Sequence, residues 1–583
     1  MNNVNLFPIG YDDFREVREK GYVFVDKSLL IRDILQESSK VVLITRPRRF
    51  GKTLNMSMLQ YFFTNEIKGY SAQELFTGLK ITQNPEAMAH QGQYPVIHLT
   101  LKGLKVTNYD ELYLTLGVIL SKLYEKHQII YSSLSAPNKK RFQAILDGTA
   151  DIATLKFSLK NLTEYLHRYY SVKPYLLIDE YDTPVLSGYL NNYYDQAIDL
   201  IRGLLSEALK GNDDLEKAIL TGILRVAKEG MFSGLNNIKV YSILNPRYNE
   251  YFGFTQAEVN ALLEASGFSA AQETVKAWYN GYQIGNTCIY NPWSIMYYLD
   301  EQGVYGAYWL DTSDNLWIQE LLIRSNIDIK IGLEQLLQGQ TIKVEIPNQF
   351  AFADLEQNDE TLWSLLVMSG YLTVIPSEYA HSEQNQNNHV SRPTDADTQI
   401  CYLAIPNFEV RATYSRLIRR WLTKNRSSAW YGSFMRQLLH GDIHAWSQRL
   451  QEVMLQIISY HDTAKYPEAF YHGLLLGIVA YLHETGYIIK SNRESGQGRY
   501  DIAIIPQDAS KLGILLELKQ VPALESSQLQ EQLAHSASTA LAQMELKRYD
   551  TELRQAGITN VCQIALAFCG KQFQLQYTLK TYP

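Results

Sequence analysis

A chain of 583 residues is too long for one hydrophobic core, and its 46% apolar and 20% charged content is ordinary for a globular protein. A formal net charge of −7 excludes non-specific polyanion binding by the molecule as a whole, so any nucleic-acid contact has to come from local basic patches. Cys288, Cys401, Cys562 and Cys569 lie far apart with no C-x-x-C spacing, which predicts free thiols in a reducing compartment.

The N-terminus shows no leader pattern, and the most apolar window, 473–482, is about ten residues against the roughly 20 a bilayer requires. A cytoplasmic location without a membrane partner is therefore expected. Phe7–Lys27 contains a helical fragment and then Tyr22–Lys27, which reads either as a segment packed beside a nucleotide base or as a plain structural strand.

The short apolar run Val41–Ile44 breaks into a basic turn and then a helix-like segment. Nucleoside triphosphates need this layout, because a strand then delivers a loop whose backbone N–H groups wrap a phosphate at a helix N-terminus. Arg46, Arg48, Arg49 and Gly51 would line the phosphate, Lys52 would neutralise its β- and γ-groups, and the Thr53 hydroxyl would ligate Mg²⁺. The first glycine of the G-x-x-x-x-G-K-[ST] pattern is replaced by Arg46. Leu54–Phe63 carries apolar residues at helical spacing, a strand is expected at Val96–Thr100, and helices are expected across Tyr109–His127 and Lys139–Tyr169.

Tyr175–Ile178 is an apolar run with a proline in front, the pattern of a central parallel strand. It ends on Asp179-Glu180, at the edge where α/β sheets bind ligands. Asp179 would hold the Mg²⁺ shell, and Glu180 would orient and deprotonate the attacking water. Ala218–Gly222 is a further buried-type strand whose Thr221 would sense the γ-phosphate, with Arg225 just beyond it as a phosphate contact in cis or from a neighbouring subunit, or a plain surface arginine. Ile238–Ile243 completes a five-stranded parallel sheet. Thr255 and Glu258 form a capping-box signature that opens a helical, aromatic stretch to about Arg324, resembling a small ATPase lid whose aromatics are expected as core in preference to base-stackers.

Leu362–Met368 reads as a helix, Gly370–Ile375 and Cys401–Ile405 as a hairpin, and the polar 376–396 between them as its long flexible tip. Helix followed by hairpin is the outline of a winged helix. The next helix carries Arg411, Arg416, Arg419, Arg420, Lys424 and Arg426, either a phosphate-contacting row or a solvated face.

The last chemical signal is the strand pair Tyr500–Pro506 and Gly513–Lys519. In an antiparallel hairpin paired numbers sum to a constant, so a turn centred near Ala509 opposes Asp501 to Glu517, and period two puts Lys519 on the face of Glu517. Two carboxylates and the Leu518 carbonyl make an oxygen site for Mg²⁺, with Lys519 to orient or activate a water against a phosphodiester. The glycine-rich 495–499 lets the strand edge approach a backbone. Glu468 and His472, spaced i and i+4, share one face of the preceding helix, which could place them over the metal, with Gln543 and Lys547 on a following helix as further candidates.

These segments, in order, are Tyr22–Lys27, Arg46–Thr53, Tyr175–Pro184, Thr221–Asn237, Trp278–Tyr282, Tyr290–Ser294, Gly370–Leu372, Ile405–Val410, Tyr471–His472, Gly496–Asp501, Glu517–Lys519 and Ala540–Tyr549. Together they resemble the bacterial AAA-ATPase-like proteins with a C-terminal nuclease of the PD-(D/E)xK superfamily. The resemblance implies an α/β multidomain chain: a P-loop parallel-sheet core over 1–252, a helical lid over 253–327, a winged-helix-like domain over 328–430 with a flexible insert at 376–398, and a restriction-endonuclease-like domain over 431–583. It implies ATP and Mg²⁺ as cofactors, metal ligands Thr53, Asp179, Asp501, Glu517 and Glu468, and cleavage by Asp501, Glu517 and Lys519. Tyr500 stands where the superfamily label has proline. The expected activity is an ATP-regulated, Mg²⁺-dependent nuclease acting on DNA in a homo-oligomer, with defence against phage or mobile DNA by analogy. Two alternatives are a switch ATPase whose end module grips nucleic acid without cutting, and a nucleotide-binding scaffold without turnover.

Overall fold

Five short runs, nearly all apolar, form the sheet that the sequence pattern requires. In the computed structural model, which describes residues 6–65, 72–226, 238–309, parts of 318–347, 352–375 apart from 357, 398–414, 428–457 and, with gaps, 471–582, these are β1 (Val41–Thr45), β2 (Val96–Thr100), β3 (Tyr175–Asp179), β4 (Lys217–Gly222) and β5 (Ile238–Tyr241). All pairings are parallel and the order is β2-β3-β4-β1-β5. β1, β3 and β4 are buried along their whole length, as strands covered on both faces must be. β4 is inserted between β1 and β3, so one strand separates the loop after β1 from the acids after β3.

The described chain divides into two compact units, Met1–Thr312 with Lys343–Glu409, and Ser313–Ile342 with Val410–Pro583. In the first, the expected helix over Lys139–Tyr169 is two helices, Ala136–Leu146 and Ile152–Tyr170, because Gly148 turns the chain and Asp151 caps the second by accepting from Thr154 N. Tyr22–Lys27 forms no strand. Its Val23 and Val25, with Phe7 and Ile9, pack on a core that includes Tyr279, Tyr290 and Tyr298, and the Lys27 ammonium binds both carboxylate oxygens of Glu258 at 2.6–2.7 Å. Glu258 closes the expected capping box with Thr255. The aromatics of this region are core, as their spacing implies. They surround helices Gln256–Ala265, Gln272–Tyr279 and Pro292–Asp300 and a small hairpin, β6 (Tyr282–Ile284) with β7 (Thr287–Ile289).

Further along, helix Asp359–Ser369 leads into β9 (Thr373–Ile375), which pairs antiparallel with β10 (Thr398–Ala404); β8 (Ile342–Pro347) flanks β10 on its other side. The expected flexible tip falls on residues outside the described ones up to 397. So do Arg416, Arg419, Arg420, Lys424 and Arg426. Arg411 is described, and its guanidinium donates to the Leu337 carbonyl at 3.0 Å within the second unit, with burial holding its pKa down.

The second unit is built on β11 (Tyr487–Ser495), β12 (Gly498–Pro506), β13 (Gly513–Gln520), β14 (Asn560–Cys569) and β15 (Gln572–Thr581), in that spatial order and antiparallel except for the β13–β14 pair. A parallel neighbour needs a crossover, and helix Ser526–Leu546 supplies it. One sheet face packs under Tyr431, Phe434, Trp446 and Leu475, the other under Ala540, Met544, Tyr549 and Leu553. Among the described residues no helix is long and apolar enough to cross a membrane.

One buried group makes the first unit acid-sensitive. The His98 imidazole on β2 has its Nε2 sealed from solvent without a hydrogen-bond partner, and burial pushes its pKa down to about 4. A base with a depressed folded pKa binds more protons when unfolded, so stability is full above the ordinary histidine pKa of about 6.5 and falls as pH drops towards about 4. The expected loss is up to about 3 kcal/mol. Unfolding of wild type and His98→Gln followed between those pH values checks it, and the variant should show a flatter pH slope.

Candidate active sites

The loop between β1 and helix Lys52–Phe63 is shaped by two left-handed residues, Arg49 (φ 67°) and Gly51 (φ 78°). Gly51 suits that conformation because it lacks Cβ, whereas Arg49 carries its strain at the site. Its guanidinium lies 3.5 Å from the centre of the Trp293 ring. Trp309 Nε1 donates to the Arg48 carbonyl at 3.3 Å, and Phe50 meets Tyr282 edge-on at 5.1 Å. The phosphate-type loop is thus braced by chain some 230 to 260 residues downstream.

Arg46 does not face this loop's interior, which corrects its expected role as a phosphate ligand. It is fully buried, and its guanidinium donates to four backbone carbonyls: Thr45 at 2.8 Å, Tyr241 at 2.9 Å, Tyr248 at 3.2 Å and Arg247 at 3.3 Å. Burial without a carboxylate lowers its pKa to about 9, so it stays charged at neutral pH. Its backbone N–H bonds Gly222 O at 3.1 Å, fastening the loop to the end of β4 as well. A motif position normally held by glycine has become a bolt between β1 and the segment after β5.

Lys52 Nζ bonds the carbonyls of Arg46 (3.1 Å) and Pro47 (2.8 Å), curled into the loop it would share with a phosphate. Burial pushes its pKa down, opposed by Asp179, Glu180 and Asp182. Thr53 Oγ1 donates to Asp179 Oδ2 at 2.6 Å, and Thr221 Oγ1 donates to Asp179 Oδ1. The helix after β1, the end of β3 and the end of β4 therefore meet at one carboxylate. Glu180 follows with a left-handed backbone (φ 54°) and accepts from Thr183 Oγ1 at 3.2 Å. Asp182, which the sequence reading left without a role, accepts from Ile223 N and Leu224 N at 2.9 Å each and holds the β4 exit; burial raises its pKa. Arg48 is deeply placed, with its pKa lowered by burial and opposed by Asp182 and Glu180. Arg225 lies beyond β4, half-buried and close enough to Tyr181 to act on its charge; residues 227–237, the end of the Thr221–Asn237 segment, fall outside the described ones.

The second centre stands on the β12–β13 pair. The register Ile502↔Leu516, carried one residue outward, opposes Asp501 to Glu517. There the Leu518 N–H donates to Asp501 Oδ2 at 2.7 Å. Glu517 is 3% exposed, and Lys519 Nζ bonds its Oε1 at 2.9 Å. Tyr549 closes the group: burial first and then the charge of Glu517 raise its phenol pKa, Gln543 and Lys519 lower it, and Asp501 adds a smaller rise. Gln543 Nε2 donates to the Tyr549 hydroxyl at 2.9 Å. Tyr549 ends the Ala540–Tyr549 segment, but its spacing gives it no role; the tertiary fold brings it to the acids.

Gly496 (φ 64°) justifies the glycine-rich approach to this site. A Cβ there would lie 2.3 Å from the Arg548 carbonyl and 2.4 Å from that of Lys547, so only glycine lets the β11–β12 turn seat on the end of helix Ser526–Leu546. His472 is placed differently from the expectation that it lies over a metal: its Nε2 sits 3.1 Å from the Asp501 backbone carbonyl, where it fixes the strand that presents Asp501. Glu468 falls outside the described residues.

Both donor sets consist of oxygens, a carboxylate and a hydroxyl at the first centre and two carboxylates with a neighbouring carbonyl at the second. Hard divalent cations such as Mg²⁺ prefer such ligands. Among the described residues no group of three or more His, Cys, Asp or Glu side chains is placed to hold a metal ion.

A protein of Azotobacter chroococcum mcd 1, described as an uncharacterized protein in the vnfD 5′ region, is 23% identical over 503 residues, covering 85% of this chain and 86% of that protein. A Walker-type ATPase of Pyrococcus abyssi, known by its structure, is 13% identical with a TM-score of 0.35, covering 70% of this chain and 98% of that one. A family model described as a predicted AAA-ATPase matches residues 8–232 and one for the PD-(D/E)XK nuclease superfamily matches residues 466–577, so the chain carries a predicted AAA-ATPase domain and, towards its C-terminal end, a PD-(D/E)XK nuclease superfamily domain.

Proposed function

We propose that this chain binds and hydrolyses ATP and cleaves phosphodiesters in DNA with Mg²⁺, the ATPase unit governing the nuclease unit. One observation supports this most: each compact unit holds its own cluster of acid, cation and oxygen donors, Lys52–Thr53–Asp179 in one and Asp501–Glu517–Lys519 in the other. In the first, Lys52 leaves the Arg46 and Pro47 carbonyls to neutralise the β- and γ-phosphates, Thr53 and Asp179 would hold Mg²⁺, and Glu180 orients the attacking water. In the second, Asp501, Glu517 and the Leu518 carbonyl would hold Mg²⁺, and Lys519 orients or activates the water that attacks phosphorus. A bound Mg²⁺ supplies charge neutralisation at the phosphate oxygens. A cytoplasmic, oligomeric protein fits this activity.

The test incubates full-length protein with plasmid and linear DNA over a Mg²⁺ titration, with and without ATP, beside Lys52→Ala. Wild type should cut, with a rate that ATP changes by about tenfold, a typical allosteric coupling. Lys52→Ala should cut without responding to ATP. Retained binding with intact DNA under every condition would replace the nuclease reading by that of a switch ATPase with a nucleic-acid-gripping module.

A further inference from the structure

The downstream chain that braces the phosphate-type loop is itself tied together at one carboxylate. Glu409 is fully buried in the first turn of the helix over 408–414. Its Oε2 accepts from Ser294 Oγ at 2.8 Å, and its Oε1 accepts from the Trp309 N–H at 2.8 Å. Ser294 follows Trp293, whose ring centre lies 3.5 Å from the Arg49 guanidinium carbon, and Trp309 Nε1 donates to the Arg48 carbonyl at 3.3 Å. The Trp293 indole in turn donates to the Tyr308 carbonyl at 3.1 Å. The bonds thus run in a closed ring, from Trp293 to Tyr308, along the chain to Trp309, then to Glu409, to Ser294 and back. The two indoles of that ring meet consecutive residues of the loop, and all of these residues belong to the first compact unit.

The loop needs such support. The left-handed backbone of Arg49 (φ 67°) persists only where its surroundings enforce it. Its Nη1 is sealed from solvent with no hydrogen-bond partner, so stacking on Trp293, not a bond at that atom, keeps the guanidinium in place. The seat of Glu409 is fixed as well. Asn407 Nδ2 donates to the Asn280 carbonyl at 2.7 Å, and a Cβ on Gly281 (φ 103°) would lie 2.0 Å from the Pro406 carbonyl oxygen, so only glycine admits this approach. A carboxylate taken out of water is costly unless bonded, and the two bonds named here go to the chain that carries the indoles. We propose that Glu409 is a positioning residue of the nucleotide site: through Trp309 and Ser294 it sets the two indoles that hold Arg48 and Arg49 in the phosphate-wrapping shape. This rests on the ATP-site reading above and extends that site to the Ile405–Val410 segment, which the sequence leaves without a role.

The full-length chain is titrated calorimetrically with the β,γ-imido analogue of ATP and Mg²⁺. The emission of Trp293 is measured without nucleotide, as the difference between each protein and the same protein carrying Trp293→Phe. Glu409→Ala should weaken the analogue by about tenfold or more, as the loss of two hydrogen bonds implies, and shift the Trp293 emission. Glu409→Gln should keep both readouts near wild type, because its amide oxygen can accept from the Trp309 N–H while its amide nitrogen donates to Ser294 Oγ. Ser294→Ala, which removes one bond with little change of volume and so keeps the fold, should weaken the analogue by about threefold. Glu409→Ala combined with Trp309→Phe should lose much less affinity than the product of the two single losses, since both act on Arg48 by one route. Multiplied losses in that double variant, or a glutamine variant as weak as the alanine one, overturn the proposal. Wild-type binding with affinity unaltered in Glu409→Ala and Ser294→Ala overturns it while leaving the ATP-site reading intact. Failure of wild type to bind the analogue overturns that reading, and this inference with it.

Discussion

Asp501→Asn is expected to lower Mg²⁺-dependent DNA cleavage by about a thousandfold or more while leaving ATP binding within about twofold. The substitution is chosen because Asp501 does two things. Its Oδ2 accepts the Leu518 N–H at 2.7 Å, and its charge completes the pair with Glu517. Asparagine keeps an acceptor for Leu518 and removes the charge, so the strand end stays in place while the proposed divalent site would lose a ligand. Alanine would also strand the Leu518 donor and cost about 1–3 kcal/mol. Lys519→Ala is expected to lose about a hundredfold or more, since removing one preorganised cation from a phosphoryl site has that order of effect. It also leaves the nearly buried Glu517 without its ammonium partner. Plasmid nicking by wild type and the two variants at matched Mg²⁺ checks this. Undiminished nicking by Asp501→Asn would remove the nuclease assignment from this hairpin.

The geometry of that hairpin was legible because antiparallel pairing obeys arithmetic. A turn centred near Ala509 fixes the constant, and the register Ile502↔Leu516 has the same sum as Asp501 with Glu517. The parallel sheet was legible for a similar reason: five short runs, each mainly apolar and three of them buried along their whole length, leave little choice of element. Long-range relations were not legible. Tyr22–Lys27 alternates like a strand, yet Val23 and Val25 find their burial among helices and no strand edge pairs with them. His472 lies against the strand that carries Asp501, but helical spacing does not say whether an imidazole meets a metal or a carbonyl. The break between helices Ala136–Leu146 and Ile152–Tyr170 did have a local signal, in Gly148 and the Asp151 cap, that helical periodicity overrode. Asp182 and Tyr549 gained their places from chain that is distant in sequence or from a fold that sequence spacing does not encode.

Arg46 is the sharpest instance, and it carries the second large effect. One dimension shows a basic residue in a phosphate-type loop; three dimensions show a guanidinium turned away from the loop into carbonyls contributed by Tyr241, Arg247 and Tyr248, roughly 200 residues downstream. Arg46→Gly would restore the usual motif letter and remove the bolt. Four carbonyls, three of them in buried bonds, would lose a charged donor, and the expected cost is about 3–5 kcal/mol. Because a chain with two compact units need not unfold in one step, the readout should be local. Amide hydrogen exchange in β1 and β5 should lose about a hundred- to a thousandfold of protection, with the strands of the second unit unchanged. Arg46→Lys should fall between wild type and Arg46→Gly, since an ammonium keeps the charge but cannot reproduce the planar fork that reaches several carbonyls at once. Unchanged protection in Arg46→Gly would mean that the β1–β5 junction is held by the strand pairing Val41↔Ile238 to Ile44↔Tyr241 alone, and the arginine would then have to be explained by the nucleotide after all.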